Sequence, residues 1–339
     1  MEYCGIDLHQ KNSEICILDE NGEVMERVRV VTTRKALTRF FEIRPRMRVV
    51  MEAGGSSQWV SRLIEEIGHE VVVCAPRRVR LIAESTLKSD EVDAEVLARL
   101  GRIDVGFLGR AQHRSERAQL RMAHLTVRSA LVQSRTKWIN TVRGILRGFG
   151  YRVPGGRSGT FHQRCAKLAM PKELREAAQP LLTQLEQITE EIERLEGELE
   201  TMAAELPVVQ HLQSIPGVGA IVALYFVLSI DDPYRFRRSR DVAAFFGMHP
   251  SLRGSGEIKH FGRITKEGDP EMRRLLVQAA HGMLNSRNSC ALQLWAIKLA
   301  ERRGKAKAVV ALARKIAVLM HHLWANGVVF EAFPSRKAA

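Results

Sequence analysis

The chain has 339 residues, which is enough for about two domains with hydrophobic cores of their own. It carries 52 Lys and Arg against 38 Asp and Glu, so its formal net charge of +14 favours a polyanionic partner. The longest apolar run, residues 215–230, is too short for a spanning helix, and the five scattered cysteines without a CxxC spacing exclude a disulfide framework or a cysteine zinc site. Together with an N-terminus that lacks a secretory signal pattern, these features predict a cytoplasmic protein.

The first hundred residues alternate strand and helix patterns in the order βββαβαβα, which predicts an α/β domain with a mixed sheet. Strands are predicted at residues 3–8, 14–18, 24–31, 47–51 and 70–74, and helices at 34–43, 56–67, 77–85 and 90–102. Asn21-Gly22 marks a tight hairpin between the second and third strands.

Charge divides the rest of the chain. Residues 110–167, the basic segment, hold thirteen Lys or Arg and one acid, whereas residues 173–206, the acidic segment, hold ten Glu and two Arg. A solvated helix face explains a single charge run, but so long a basic stretch favours a phosphate backbone as its partner.

Apolar residues in the acidic segment follow a heptad spacing of 3, 4, 3, 4, 3, 4. They predict a coiled-coil arm or a helical hairpin, which is also a candidate oligomer contact; the alternative is a helix packed within its own chain. The seam consists of Leu185, Ile188, Ile192, Leu195, Leu199, Met202 and Leu206. The chain therefore divides into predicted domains at residues 1–105, 106–206 and 207–335.

The last of these domains is predicted to be mostly helical, and residues 214–219 (SIPGVG) at its start resemble a helix-hairpin-helix turn. Its glycines, Gly217 and Gly219, would let backbone N–H groups approach a phosphate, although a plain helix–helix corner fits the same residues. Further helices are predicted at residues 270–284 and from 292 to 324.

Four acids of the first domain stand where metal chemistry could use them. Asp7 and Glu52 lie in apolar strands, where a carboxylate is costly without a partner, and Asp90 and Asp93 are three apart on one helix. If the first and fourth strands are neighbours, the four carboxylates gather into a site for Mg²⁺ or Mn²⁺. The alternative is that Asp90 is an N-cap and Asp93 a first-turn acid.

These motifs resemble the insertion-sequence one-hundred-ten (IS110) family of bacterial transposases. The resemblance rests on residues 5–9 (GIDLH), 51–54 (MEAG) and 88–94 (KSDEVDA), and on residues 215–219 (IPGVG), 246–250 (FGMHP), 254–256 (GSG), 262–268 (GRITKEG) and 273–275 (RRL). It runs nearly end to end and in the same order.

The resemblance implies an RNase H-like (RuvC-like) domain whose Asp7, Glu52, Asp90 and Asp93 bind Mg²⁺, and a C-terminal serine transposase domain. It further implies a bridge RNA that pairs with donor and target DNA, and a serine nucleophile, best matched by Ser255, with Ser251 and Ser239 as competitors. The metal carboxylates and Ser255 would then form one composite site, within or between the subunits of a dimer or tetramer. Without the resemblance, Ser255 is an ordinary turn serine between glycines.

Nucleic-acid contacts are predicted from the basic segment and the C-terminal loops. The candidates are Arg114, Arg121, Arg128, Arg135, Lys137, Arg143, Arg147, Gly217, Gly219, Arg253, Lys259, Arg263 and Lys266. The leading hypothesis is a DNA recombinase; the alternatives are a metal-dependent junction nuclease in which Ser255 is structural, and a non-enzymatic architectural binder.

Overall fold

A computed structural model describes residues 1–75, 90–103, 105–106, 109–253 and 260–333, with side chains omitted at 90–91, 252–253 and 260–261. The chain forms two compact units, Met1–Arg114 and Ser115–Ala339. The three-part division at residues 105 and 206 stays a prediction.

The N-terminal unit is built on one five-stranded sheet of order β3-β2-β1-β4-β5. Its strands are β1 (Tyr3–Leu8), β2 (Asn12–Leu18), β3 (Val24–Val31), β4 (Arg48–Glu52) and β5 (Glu70–Cys74). The pairs β1–β2 and β2–β3 are antiparallel, whereas β1–β4 and β4–β5 are parallel. The mixed sheet predicted from the sequence is therefore confirmed, and the first and fourth strands are neighbours.

Three described helices cover this sheet: α1 (Arg34–Glu42), α2 (Ser57–Ile67) and α3 (Asp90–Ile103). One core joins Ile6 and Met51 to Phe41 of α1 and Ile64 of α2. On the opposite face, α3 packs on the strands through the contacts described below. The helix predicted at residues 77–85 lies outside the described residues.

Two 33-residue helices, α4 (Glu116–Gly148) and α6 (Lys172–Ala204), dominate the start of the second unit, with a short α5 (Phe161–Ala166) between them. Ser115 caps α4 by accepting a hydrogen bond from the Ala118 amide. Five members of the predicted heptad seam, Leu185, Ile188, Ile192, Leu195 and Leu199, are buried. Leu185, Ile188 and Ile192 share a core with Ile139, Val142 and Leu146 of α4. Most of the seam thus packs within its own chain, and the role of this segment in an oligomer stays a prediction.

The remaining helices enclose a second core. They are α7 (Pro207–Leu212), α8 (Ala220–Ile230), α9 (Asp241–Phe245), α10 (Pro270–Leu284), α11 (Ala291–Arg303) and α12 (Lys305–Asn326). A two-stranded antiparallel ribbon, β6 (Pro250–Arg253) and β7 (His260–Ile264), adjoins them. Gly304, with φ of 84°, divides the predicted helical stretch 292–324 into α11 and α12.

Helix α12 is the described helix that is long and apolar enough to span a membrane by length and composition. From the sequence, a membrane span was excluded only for the run at residues 215–230. Half of the apolar window of α12 is buried inside the protein, where Leu312, Ile316 and Met320 belong to the C-terminal core. We therefore assign it as a core helix.

Candidate active site and nucleic-acid interface

Asp7 and Glu52 stand at the carboxyl ends of adjacent parallel strands, Asp7 as the last but one residue of β1 and Glu52 as the last residue of β4. Ile6 of β1 pairs with Met51 of β4, so the next residue of each strand stands at corresponding positions. Side chains alternate along a strand, which puts Asp7 on the face of Gly5 and Glu52 on the face of Val50. Both of those residues contact α3, so the two carboxylates belong to the face that α3 covers.

The backbone of helix α3 packs directly against the backbone of β1, because Gly5 has no side chain to separate them. A Cβ built on Gly5 would stand 2.0 Å from the carbonyl oxygen of Ala94 and 2.5 Å from the amide nitrogen of Ala98. At the other end of α3, the carbonyl of Gly101 accepts a hydrogen bond from Arg48, the first residue of β4, at 3.1 Å. Helix α3 therefore runs antiparallel to these strands, and it begins near their carboxyl ends, where Asp7 and Glu52 stand.

Asp90 and Asp93 stand in the first turn of α3, and each is four residues before a sheet-facing residue, Ala94 or Leu97. Asp93 is exposed, and the side chain of Asp90 is outside the description. Across the described side chains, no three His, Cys, Asp or Glu converge closely enough to hold a metal. The backbone thus brings four acidic positions to one end of the sheet, while the described side chains do not form a closed ligand set.

Two side chains interact with these carboxylates. His9, the residue after β1, has its Nε2 2.9 Å from Asp7 Oδ2. Sequence reasoning gave His9 no role, although its position two residues after Asp7 could have suggested the contact. On β5, burial raises the pKa of the Cys74 thiol to about 12, with the Glu52 carboxylate adding to the shift. Carboxylate oxygens are hard donors, and a site of this composition fits Mg²⁺ or Mn²⁺ rather than zinc.

The candidate arginines of α4 fall into two classes. Arg121 pairs with Glu205 at 2.6 Å, and Arg128 pairs with Glu196 of α6. Their side chains keep only 14% and 17% of their surface exposed. Burial also lowers the pKa of Arg135, which lies seven residues, or about two helical turns, after Arg128 on the same face. Acids of the acidic segment therefore pair with some of the arginines that we expected, from the sequence, to contact phosphates.

Lys137, Arg143 and Arg147 form the second class, because all three are exposed. Among the described carboxylates none pairs with them, and the Arg143 guanidinium lies 5.3 Å from the ring centroid of Phe161. Arg114 is partly buried, and its carbonyl accepts a hydrogen bond from Arg62 at 2.7 Å. The exposed three are the members of this candidate set best placed for a phosphate backbone.

The glycine turn between α7 and α8 is used differently by its two candidates. Gly217 has φ of 85°, and a Cβ there would stand 2.3 Å from the carbonyl oxygen of Ala279 in α10. Its freedom therefore serves close packing against that helix. Gly219 precedes α8 and has open space around its Cβ position.

The other C-terminal candidates belong to residues 253–266, the part of the chain that contains β7 and the end of β6. Ser255 and Lys259 lie outside the described residues, and so does the side chain of Arg253. Arg263 and Lys266 are exposed and line a groove beside α12. That groove includes Trp295, which the sequence presents only as one apolar position in a helix and which sequence reasoning missed.

Comparison with known families assigns both halves of the chain. Residues 4–150 match the family model for the DEDD transposases of IS110, described as "Transposase". Residues 209–296 match a second model, described as "Transposase IS116/IS110/IS902 family".

Relatives match over nearly the full length. The chain is 31% identical to the transposase for insertion sequence element IS1111A of Coxiella burnetii, over 95% of this chain and 88% of that protein. It is also 31% identical to the transposase for insertion sequence element IS1328 of Yersinia enterocolitica, over 96% and 97%. A probable family 20 transposase of Pseudomonas aeruginosa is 29% identical over 95% of each chain. The chain therefore belongs to the IS110 family of insertion-sequence transposases, enzymes that recombine DNA.

Proposed function

We propose that this transposase cuts and rejoins the DNA of an insertion sequence with Mg²⁺ held by Asp7, Glu52, Asp90 and Asp93 and with Ser255 as the nucleophile. Membership of the DEDD transposase family implies dependence on a divalent metal. The observation that carries the proposal is the adjacency of Asp7 and Glu52 at one edge of the sheet, under the first turn of α3.

Each residue of this edge has a separate task. Asp7 and Glu52 supply ligand oxygens from rigid strands, and Asp90 and Asp93 supply them from the helix above. His9, in contact with Asp7, orients that carboxylate. Bound there, Mg²⁺ would supply Lewis-acid stabilisation of the charge that develops on phosphate and leaving oxygens.

Ser255 carries the covalent step in this proposal. Its Oγ attacks the phosphorus of the scissile phosphodiester, so that the Oγ–P bond forms as the P–O bond to the leaving sugar breaks. The hydroxyl proton passes to a base and the leaving sugar oxygen takes up a proton. Rejoining reverses these changes with the oxygen of another strand, and the number of phosphodiester bonds is conserved.

The proposed partners are donor DNA, target DNA and a bridge RNA. The protein would act on them in the cytoplasm as a homo-oligomer, either a dimer or a tetramer. Transposases act on DNA, and the exposed Lys137, Arg143 and Arg147 support a nucleic-acid backbone along α4. Sequencing the nucleic acid that copurifies from cells carrying the whole element tests the guide: a discrete structured RNA complementary to element ends and target supports it, and heterogeneous DNA contradicts it.

The chemistry is tested with Asp7→Asn and Ser255→Ala proteins on supercoiled DNA that carries the element ends. Both variants should fail to recombine, and a protein–DNA adduct should form in wild type and be absent from Ser255→Ala. Ser239→Ala, in the same half of the chain, is the matched control and should keep the adduct. Cleavage by Ser255→Ala with loss only in Asp7→Asn would instead establish the junction nuclease.

A further inference from the structure

A groove of about 1560 Å³ follows one side of α12 in the second unit. The ribbon strand β7 forms one wall, and α11 together with residues 330–332 forms the other. The residues of α12 that line it extend from Ala306 to His322, about 24 Å at 1.5 Å per residue. The opposite side of α12 packs into the C-terminal core, which explains why this helix is apolar on both sides.

The groove combines an apolar floor with a positive rim. Leu292, Val310, Val318 and Leu319 belong to the floor, and its lining includes the aromatic side chains Trp295 and Phe330. Both aromatic residues are partly exposed. Among the described residues that line the groove, five carry positive charge: Arg263, Lys266, Lys307, Arg314 and Lys315. The described lining contains one acid, Glu331.

The rim is fixed on the ribbon side. Lys266 has φ of 58°, a left-handed conformation, and its amide donates to the carbonyl of Gly247 at 3.0 Å. A Cβ on Gly247 would stand 2.0 Å from the carbonyl oxygen of Glu267, so this loop and the end of α9 touch through their backbones. The groove wall that carries Arg263 and Lys266 is therefore preorganised for a ligand.

We propose that this groove binds a single-stranded segment of nucleic acid, with bases against the apolar floor and phosphates along the cationic rim. Aromatic residues beside a basic groove are the arrangement by which proteins hold single strands without reading their sequence. A duplex presents phosphates outward and would leave the floor uncovered. An acidic protein helix would match the charge, but the aromatic pair favours the flat faces of bases.

Trp295 and Lys315 supply a specific contact for this mode. The Lys315 ammonium lies 4.4 Å from the centroid of the Trp295 ring, so the ring face accepts a partner from the groove side. A base that stacks on Trp295 displaces the ammonium, which then meets a phosphate of the same strand. The proposal rests on the proposed function for its source of ligand, since strand exchange produces unpaired segments of DNA.

The test measures binding of a fluorescein-labelled twelve-nucleotide DNA single strand to the full-length protein in EDTA, so that no strand chemistry occurs. A Lys307→Gln/Arg314→Gln protein should bind about tenfold more weakly, with a salt slope reduced by about 1.4. A Trp295→Leu protein, shown to be folded by circular dichroism, should lose about tenfold in affinity with an unchanged slope.

The matched control is Lys298→Gln/Arg302→Gln, which removes two exposed charges of α11 that do not line the groove. It should bind within about twofold of wild type. Equal losses in the two double variants, a folded Trp295→Leu protein that binds like wild type, or a preference for duplex would each overturn the proposal. Ser255→Ala should retain binding, so failure of the nucleophile assignment is distinguishable from failure of the groove.

Discussion

Gly5 is the residue on which the geometry of the candidate metal site depends most directly. Its missing side chain lets α3 approach β1, and α3 carries two of the four acidic positions. We predict that Gly5→Ala lowers the free energy of unfolding by about 3 kcal/mol, because the new methyl group overlaps backbone atoms that cannot move aside. Denaturant unfolding measures this cost, and Mn²⁺ titration should show weakened metal binding.

Gly197 provides the matched control for that substitution. It lies inside α6 with nothing within 4 Å of its Cβ position. Gly197→Ala should therefore raise the free energy of unfolding by about 0.5–1 kcal/mol through helix propensity alone. A Gly5→Ala protein as stable as wild type would contradict the close approach of α3.

Cys4 gives a prediction for the dependence of stability on pH. Burial raises the pKa of its thiol, with the neighbouring Cys16 adding to the shift, so the folded state keeps the proton. The unfolded thiol ionises at a pKa of about 8.5. Above that pH the unfolded chain binds fewer protons than the folded one, and the free energy of unfolding falls as pH rises.

Denaturant titrations between pH 7.5 and 10.5 check the Cys4 contribution. Cys4→Ala is less stable at pH 7.5, but the loss from pH 8.5 upward should be smaller than in wild type. Parallel pH profiles for the two proteins would show that the Cys4 thiol does not contribute.

At the scale of elements, some basic residues of α4 pair with acids of α6, whereas others are exposed, and the two groups should respond differently to substitution. Arg128→Ala should lower the free energy of unfolding by about 1–2 kcal/mol, because Glu196 loses its partner in a half-buried interface. Replacing Lys137, Arg143 and Arg147 with alanine should leave stability nearly unchanged and reduce the salt slope of duplex binding by about 3. Binding isotherms at several salt concentrations and unfolding curves separate the two effects; an unchanged salt slope in the triple variant would refute the assignment.

The packed seam of α6 makes its own prediction. Ile192 is buried in the core shared with α4, and Ile192→Ala should lower the free energy of unfolding by about 2–5 kcal/mol. Leu120 of α4 is 65% exposed, so Leu120→Ala should cost less than about 0.5 kcal/mol. Similar costs at both positions would place the seam at a surface instead of in the core.

The sequence predicts those features whose signals lie within a short stretch of the chain. The hairpin and crossover pattern restricts a mixed sheet to few arrangements, so it predicts the strand order and the adjacency of β1 and β4, which carry Asp7 and Glu52. The stripe of Asp90 and Asp93 follows from helical spacing. Spacing identifies faces but not partners, so the contact of Arg128 with Glu196, 68 residues away, could not be read from it.

At the scale of the whole molecule, binding and chemistry should separate on metal removal. In the proposed function, basic side chains hold DNA through phosphate contacts, whereas strand cleavage is assigned to the metal-dependent site. EDTA should therefore leave DNA affinity within about twofold and reduce cleavage by at least about a hundredfold. Adding Mn²⁺ should restore cleavage, and cleavage that persists in EDTA would remove the metal from the proposal.

Two features of the whole molecule could not be predicted from the sequence. The sequence reasoning assigned the charge of the whole basic segment to nucleic acid, although Arg121 and Arg128 of that segment pair with Glu205 and Glu196 of the acidic segment. It also missed the groove beside α12, because residues 263, 295, 307 and 314 come from three elements and meet only in the fold. A site assembled from separate helices and a strand leaves no local motif.

The pairing of Arg128 with Glu196 has a consequence for how such chains change in evolution. Loss of either charge leaves the other without its partner in a half-buried interface. The two positions should therefore change together among related sequences. Positions 137, 143 and 147 carry no such constraint and should drift independently. In the proposed DNA-binding role, single substitutions at those three positions adjust the affinity for DNA while α4 keeps its fold.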